Sequence, residues 1–381
     1  MGQEPSDFER FVGSDRRQFP KPRGLPAIVA VIGISVAIGL VVLLPRSRPE
    51  LDLSTFGFAE DVVHATVTSS EETPCSYDAS FVCRLVVFTL SDPDSQPPTY
   101  TQEFPSDPGQ PVFAPGERIY LSVVSFEGED SYSYYDRDRG ALVGVVALVF
   151  GLTVVALGRL RGFAALVGLA LSLLILIGFI VPAIVAGRDA VLVALVGGGA
   201  IALVALYLAH GYTPLTHVAA IGAFAALALT TALSWLVVTL AQFSGLASEE
   251  AFYLIGLPNI DLSGLLLSGI VLGAIGALDD VTVTQASAVW ELNQANPQLG
   301  SRALFESGLR IGRDHIASTV NTLLLAYAGA AMPLLILFSL SALPLTVMAS
   351  SEVVAVEIVR TLVGSIGLVA AVPITTWLAS R

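Results

Sequence analysis

Apolar runs long enough to cross a lipid bilayer recur along the chain, and they constrain its fold more than any other feature. A membrane helix needs about 20 mostly apolar residues. Runs of this kind cover residues 25–44, 140–157, 163–186, 190–209, 217–240, 262–283, 316–340 and 353–378. Lipid cannot hydrogen-bond a peptide group, so each run should be helical. The sequence therefore predicts an α-helical polytopic membrane protein with about eight transmembrane helices.

The composition agrees with this class of protein. The 381 residues are 54% hydrophobic and only 13% charged, whereas soluble proteins usually carry about 25% charged residues. The sequence has no basic stripe that could neutralise phosphates, so nucleic acid is not expected as a partner.

Arg and Lys in the short segments between the apolar runs predict the orientation of the chain, because basic residues collect on the cytoplasmic side of a membrane. Residues 1–24 carry five of them, and the turn at 158–162 carries two. The loop at 284–315 carries Arg302, Arg310 and Arg313. An eight-span arrangement keeps all these segments on one side, so we expect both termini in the cytoplasm.

The segment 45–138 differs from the rest of the chain. It holds 17 Asp and Glu residues but only 5 Lys and Arg residues, and it therefore carries nearly all of the net charge of −13. Short β-branched and aromatic runs alternate there with Pro- and Gly-bearing turns, which is typical of strands. We interpret it as an acidic extracytoplasmic domain of about five strands, a small β-barrel or sandwich for which an OB-like topology is one option.

The predicted organisation follows from these segments. A cytoplasmic tail (1–24) precedes a transmembrane anchor helix (25–44), and the acidic β-rich domain (45–138) is followed by a seven-helix membrane domain (139–381).

The only cysteines, Cys75 and Cys83, both lie in the acidic domain. Outside the cytoplasm a disulfide that closes this short loop is favoured, and two free thiols are the alternative. Tyr132, Tyr134 and Tyr135 precede the second apolar run, at a level where aromatic side chains suit a membrane–water boundary.

The sixth apolar run continues into a stretch with polar groups at helical spacing. Asp280, Thr284, Ser287 and Glu291 follow one another at intervals of four, three and four residues. This spacing places them on one helical face, and Asp279 opens the neighbouring face.

A second polar stretch leads into the seventh apolar run. Asp314 and Asn321 share one helical face there, and His315 opens the next. Arg310 stands four residues before Asp314, so a helical ion pair is expected. Both stretches lie at the cytoplasmic ends of consecutive predicted spans, so they can meet.

Ionisable groups at membrane depth are costly, and a functional site is the default interpretation. The candidate ion, proton or substrate site consists of Asp279, Asp280, Thr284, Glu291, Arg313, Asp314, His315 and Asn321. Such a set could bind a divalent cation through oxygen-rich ligands. It could also transfer protons, because one of two repelling carboxylates holds its proton more tightly. The alternative is that Arg310 and Arg313 only neutralise the carboxylates.

Two further patterns bear on function. Glu357 and Arg360 are three residues apart in the last apolar run, and an intramembrane ion pair is expected there. The sequence contains neither a His-Glu-x-x-His motif nor a P-loop. We therefore do not expect an enzyme, and no motif requires a cofactor.

At these residues the chain resembles the YibE/F family of multipass bacterial membrane proteins. The motifs that carry the resemblance are Gly273-x-x-Gly276-Ala277-x-x-Asp280-Val281, Ala286-Ser287-Ala288 with Glu291, Ser307-Gly308, Ile311-Gly312-Arg313-Asp314, Asn321-Thr322-Leu323, Ala326-Tyr327-Ala328-Gly329, Glu357-Ile358-Val359-Arg360 and Gly364-Ser365-Ile366-Gly367-Leu368. The resemblance covers residues 60–380 and implies a multipass protein of the bacterial cell envelope. Family members often carry an apolar residue at position 279, which implies that Asp280 is more central than Asp279.

The leading functional hypothesis is a permease, or an ion- or proton-coupled transporter, of a small solute or ion in the bacterial plasma membrane. The alternative is a non-transporting cell-envelope receptor or complex subunit that binds a partner through residues 50–138. The expected partners are the lipid bilayer, a small solute or ion, an extracellular protein and a second copy of the chain in a homo-oligomer.

Overall fold

The computed structural model describes residues 24–46, 61–91, 98–126, 129–257, 260–341 and 343–381. The predicted cytoplasmic tail, apart from Gly24, lies outside the described residues. The chain divides into two compact units, one of Glu50–Leu157 and one that combines Met1–Pro49 with Gly158–Arg381. The first unit holds an antiparallel sheet, and the second is helical.

The sheet has five strands, in agreement with the predicted number. They are β1 (Asp61–Pro74), β2 (Val82–Leu90), β3 (Thr99–Pro105), β4 (Arg118–Phe126) and β5 (Glu129–Arg137), in the antiparallel order β3-β2-β1-β4-β5. The sheet curls into a half-barrel. Its two edges approach each other where the Tyr134 backbone N–H donates to Gln102 Oε1 at 2.8 Å. The described residues of this unit therefore form one curled sheet and no two-sheet sandwich.

Alternating side chains fill the concave face of the half-barrel. Phe88, Phe104 and Phe113 meet there, with ring centroids 4.9–6.4 Å apart. Ile119 and Leu121, two residues apart on β4, are fully buried beside them. The period-2 pattern of the sequence thus produces one apolar face, as expected for a strand that is half buried.

A disulfide between Cys75 and Cys83 closes the turn of the β1–β2 hairpin, with the two Cα atoms 4.8 Å apart. Glu103 lies beside the two sulfur atoms. Because both sulfur atoms are bonded to each other, the three residues cannot act together as a metal site. Glu103 instead accepts hydrogen bonds from the backbone and the hydroxyl of Ser76 at 2.7 and 2.5 Å.

Each predicted apolar run lies in or across helices. The helices are α1 (Leu25–Leu43), α2 (Gly140–Ile175), α3 (Val181–Val185), α4 (Ala190–His210), α5 (Pro214–Leu240), α6 (Glu249–Leu254), α7 (Leu262–Ala295), α8 (Ser301–Ala330), α9 (Met332–Ser339), α10 (Leu345–Ser350) and α11 (Glu352–Ala379), with a π-helical turn at Leu176–Ile180. Side chains cap several of them. Asp189 accepts from the N–H of Leu192 at the start of α4, and Asp261 accepts from the N–H of Ser263 at the start of α7.

In the described part of the chain, six helices are long and apolar enough to cross a membrane, or seven if the bent pair α8–α9 is one span. The predicted runs 140–157 and 163–186 fall within one helical stretch, Gly140–Val185. Arg159 interrupts this stretch with φ 52° and ψ −131°. The predicted number of eight spans is therefore not confirmed, because periodicity alone cannot say whether the chain turns at that residue.

Four helices form the core of the helical unit. Small and branched side chains from α4, α5, α7 and α11 are buried against one another. Glycines allow this close packing, since a Cβ atom on Gly367 would collide with Thr230 and one on Gly222 with Thr375. Helices in membranes approach closely where such small residues lie at the contact.

Candidate functional site

Helices α7 and α8 carry the two polar stretches and run antiparallel. A Cβ atom on Gly308 would lie 2.7 Å from Val289, and one on Gly273 would lie 2.8 Å from the Tyr327 hydroxyl. Between these two contacts, Thr284 is level with residues 313 and 314, and Asp280 is level with residues 317 and 318. The two polar stretches therefore lie at overlapping depths, as expected for the adjoining ends of consecutive helices.

A buried glutamine joins three helices. Gln285 is 2% exposed, and its Nε2 donates to the Gly308 carbonyl at 2.8 Å and to Thr376 Oγ1 at 2.7 Å. The Thr376 hydroxyl in turn donates to the Val372 carbonyl at 2.6 Å. This network links α7, α8 and α11. The predicted site did not include Gln285. A single amide among the apolar residues of a helix does, however, indicate a buried hydrogen bond, and this pattern can be read from the sequence.

The outward face of α7 lacks large apolar side chains. From Leu262 to Glu291 the exposed residues are all small or polar. We call this face, together with the half-buried Ser287, the α7 stripe. It consists of Gly269, Gly273, Gly276, Asp280, Thr284, Ser287 and Glu291. The predicted face from Asp280 to Glu291 is thus a real face of the helix, and three glycines extend it toward the N-terminus of α7.

The neighbouring helix α8 also turns polar groups outward. Arg313, Asp314, Ser318 and Asn321 are exposed. The predicted ion pair between Arg310 and Asp314 is not formed, because Arg310 donates to the Ser307 hydroxyl at 3.1 Å. Neither Arg310 nor Arg313 forms an ion pair with a carboxylate among the described residues.

Two predicted site residues turn away from the outward face. Oδ1 of Asp279 and Nε2 of His315 are buried, and neither atom has a hydrogen-bond partner in the described parts of the chain. The remaining predicted site residues are exposed. No hydrogen bond or ion pair joins any two of the eight predicted residues where the structure describes them. The stretches share a depth, but they form no closed cluster within one chain.

The predicted ion pair in the last span is present. Arg360 Nη1 lies 2.8 Å from Glu357 Oε1, with about three tenths of each side chain exposed. The Glu357 backbone carbonyl also accepts from the Thr361 hydroxyl at 2.9 Å. Removal of either partner would leave a half-buried charge without its counter-ion.

A cavity of about 190 Å³ lies beside Glu357, where α8 ends and α9 begins. The two helices meet at Ala331 with a bend of 68°. Pro333 in the first turn of α9 accounts for the break, because proline ends a preceding helix but suits the start of a new one. Tyr327 and Leu335 line the cavity from the two sides of the break.

The tyrosines that precede α2 belong mainly to the sheet. Tyr132 is buried in the half-barrel, and Tyr134 packs against Phe104 and Phe113 with ring centroids 5.9 and 5.0 Å apart. Burial raises the pKa of the Tyr134 hydroxyl. Only Tyr135 remains exposed. The interpretation as a membrane boundary is therefore wrong for Tyr132 and Tyr134, whose side chains complete the β core.

The fold and the polar face together define the class of protein. Several helices that can cross a membrane, with polar groups at membrane depth, indicate a membrane protein. The family model of YibE/F-like proteins matches residues 146–381. The chain belongs to the YibE/F family, as its motifs predicted. The match does not extend over the five-stranded sheet. No curated protein and no solved structure matches the chain.

Proposed function

We propose that this protein is a membrane permease, or an ion- or proton-coupled transporter, of a small solute or ion. The observation that carries the proposal is the α7 stripe. From Gly269 to Glu291 it spans about 33 Å along the helix axis, close to the hydrocarbon thickness of about 30 Å. Its polar members, from Asp280 to Glu291, cover about 17 Å of that length, and polar and ionisable groups at membrane depth mark substrate or ion pathways.

The chemistry of the stripe favours a cation. Asp280 and Glu291 supply carboxylate oxygens, and Thr284 adds a hydroxyl between them. Oxygen ligands of this kind suit divalent cations such as Mg²⁺ or Ca²⁺. A proton is the second option, because Asp279 has a buried carboxylate oxygen with no partner among the described residues. Such a group can hold a proton inside the bundle.

We assign the roles in the site as follows. Asp280 and Asp314 bind the ion or proton. Thr284 and Asn321 are neutral coordinating groups, each within about one to one and a half helical turns of the depth of Asp280. Arg313 adjusts the charge of the site, and it has no ion-pair partner in the described part of the chain that would hold it elsewhere.

The broken helix pair α8–α9 supports transport as well. Transporters build their substrate sites from discontinuous helices, whose ends leave backbone groups free to bind. Here the break at Ala331 opens onto the cavity beside Glu357. We therefore propose that this cavity contributes to solute passage.

The membrane arrangement that fits this function has eight spans. Arg159 would lie in a cytoplasmic turn between the two halves of Gly140–Val185, and both termini would be cytoplasmic. The half-barrel would face the outside of a bacterial plasma membrane. An OB-like fold is proposed for it, since a five-stranded, partly open barrel is the form of that fold. We propose no catalytic activity.

Flux through reconstituted protein tests the assignment. Proteoliposomes with an imposed gradient of protons, Mg²⁺ or Mn²⁺ should show uptake by the unmodified chain, reported by a trapped indicator. Asp280→Asn and Asp314→Asn should each reduce that uptake at least tenfold, because the amide keeps the shape of the side chain and removes its charge.

A matched control lies on the same helix. Glu306 of α8 is exposed and forms an ion pair at 3.0 Å with Arg302, one helical turn earlier. Glu306→Gln should therefore leave the flux unchanged. Equal flux in Asp280→Asn, Asp314→Asn and unmodified protein would show that the stripe does not conduct the ion.

A specific feature favours the second candidate, a receptor or complex subunit. The turn of the β1–β2 hairpin exposes Tyr77, Phe81 and Val82, each more than half exposed. The rings of Tyr77 and Phe81 lie 6.3 Å apart, and the disulfide holds the turn in place. Rigid exposed aromatic side chains are typical centres of protein interfaces.

Cross-linking with the full-length chain in membranes tests this candidate. A photoreactive group next to the turn should capture one protein species, and Tyr77→Ala with Phe81→Ala should abolish the capture. Val112 is equally exposed on the same unit, so Val112→Ala should leave it unchanged. Capture that survives the aromatic substitutions would remove the hairpin turn as the interface.

A further inference from the structure

The α7 stripe is unsuited to lipid in a way that no other candidate span is. Exposed positions on the other long helices carry large apolar side chains, for example Val31 on α1, Leu229 on α5 and Ile366 on α11. Helix α7 exposes none from Leu262 to Ala295. Acyl chains cannot satisfy carboxylates and hydroxyls, so this face needs a cover other than lipid.

The adjacent face of α8 also exposes polar side chains, beside the exposed Leu324 and Leu325 toward the C-terminal end of the helix. Arg313, Asp314 and Asn321 are exposed on it, and no hydrogen bond or ion pair engages them within the described ranges. The two faces adjoin, because Gly273 and Gly308 bring α7 and α8 into contact. Together the α7 stripe and these α8 residues form one polar face, which we call the α7–α8 face.

We propose that a second copy of this chain covers the α7–α8 face, so that the protein works as a two-fold symmetric dimer. A two-fold axis along the membrane normal keeps every residue at its own depth and brings the same face of both copies together. Helix α7 of one copy then meets α8 of its partner, so that Asp280 and Glu291 approach Arg313 and Arg310, while Asp314 adds one acidic side chain to the α8 side.

The charges match at the required depths. Asp280 on α7 is level with residues 317 and 318 of α8, so it lies about one to one and a half helical turns from the depth of Arg313. Glu291 lies about one turn from the depth of Arg310 by the same register. An arginine side chain is long enough to cover that offset. Arg310 and Arg313 have no carboxylate partner in the described part of their own chain, so both are free to pair across the dimer.

The outer half of the stripe permits close approach. A Cβ atom on Gly269 or Gly276 would meet nothing within 4 Å in a single chain. Small residues of this kind let helices of two subunits pack backbone to backbone. The glycines therefore provide the contact, and the charged half provides the pairing that selects a second copy over lipid.

The dimer closes the polar path that a single chain leaves open to lipid. Two α7 stripes that face each other enclose the carboxylates and hydroxyls between protein walls, so the polar path is closed only by the partner copy. This inference rests on exposure and charge alone. It stands whether or not the enclosed path conducts an ion.

Cysteine cross-linking in native membranes tests the dimer. The two natural cysteines are bonded to each other, so an introduced cysteine is the only free thiol. Gly276→Cys adds a side chain in open space on the stripe. Mild oxidation should convert most of this variant into a covalent dimer, seen as a doubled mass that reductant restores.

The control is a lipid-facing position at similar depth. Val289 of α7 and Thr376 of α11 both contact Gly308, so these two residues share a depth. Counted back from them, Ile366 on α11 lies within about one helical turn of the depth of Gly276. Ile366 is half exposed and apolar, so Ile366→Cys should cross-link at least five times less. Equal cross-linking at the two positions would overturn the proposal, because it would report only random collision.

A second measurement needs no cysteine. The unmodified chain in lipid nanodiscs should have the mass of two copies, and Arg313→Glu should shift it to one copy by adding a fourth acidic side chain to the face. Asp280→Arg combined with Arg313→Glu reverses the pair and should restore the dimer. A monomeric mass for the unmodified chain, or no rescue by the reversed pair, would contradict the two-fold arrangement. Flux measured on the same samples separates this result from the test of transport.

Discussion

The buried Gln285 network should contribute measurably to the stability of the helical unit. Gln285→Leu keeps nearly the same side-chain volume and removes two hydrogen bonds, of 2.8 and 2.7 Å. It leaves no unsatisfied donor at Thr376, because the Thr376 hydroxyl still donates to the Val372 carbonyl. The loss is therefore that of the two bonds themselves.

The magnitude follows from what such bonds contribute in membranes. Side-chain hydrogen bonds between membrane helices average about 0.6 kcal/mol and reach about 1.7 kcal/mol. Two of them at full burial give an expected loss of about 1–3 kcal/mol in the free energy of unfolding. Thr376→Val should cost a similar amount, because it leaves one Nε2 hydrogen of Gln285 without its acceptor.

Reversible unfolding in mixed micelles, followed by helical circular dichroism, measures these free energies. Gln294→Leu is the matched control, since it makes the same substitution at an exposed position of the same helix. It should change stability by less than about 0.5 kcal/mol. The double variant Gln285→Leu with Thr376→Val should show coupling of about 0.5–1.5 kcal/mol. Additive losses, or a Gln285→Leu variant as stable as the unmodified chain, would refute the network as a link between helices.

Three further predictions concern packing, the disulfide and acid stability. Gly308→Ala should lower the free energy of unfolding by about 1–3 kcal/mol, because its Cβ would lie 2.7 Å from Val289, whereas Gly329→Ala meets open space and should be neutral or slightly stabilising. Cys83→Ser removes the disulfide that joins two residues eight positions apart and should destabilise the half-barrel by about 2–3 kcal/mol. The loss should appear as a lower melting temperature in the β-sheet circular dichroism signal. The hydrogen bond from Arg139 holds the pKa of Asp136 below its ordinary value, so this contribution to stability is present above that ordinary pKa and is lost as pH falls through the lowered one.

Each of these predictions has an outcome that contradicts it. Gly308→Ala and Gly329→Ala of equal stability would mean that α7 and α8 separate freely at Gly308. A Cys83→Ser melting temperature unchanged from that of the unmodified chain would mean that the hairpin turn is held by its other contacts. Arg139→Gln should flatten the acid limb of the β signal. An acid limb that is identical in this variant would exclude the Asp136 contact as its source.

Local patterns in the sequence determined much of this protein. Apolar length predicts each membrane helix, because every peptide group in lipid must bond within its own segment. Spacing alone places Asp280, Thr284 and Glu291 on one face of α7 and pairs Glu357 with Arg360, since both depend only on the geometry of a single helix. The five strands follow from alternation in the same way.

Tertiary structure decided the rest. Gln285 finds its partners 23 and 91 residues away, and no local pattern can specify contacts at that separation. The direction in which the α7 stripe faces depends on which helices cover its other sides. Periodicity shows which residues share a face, and only packing shows what that face meets.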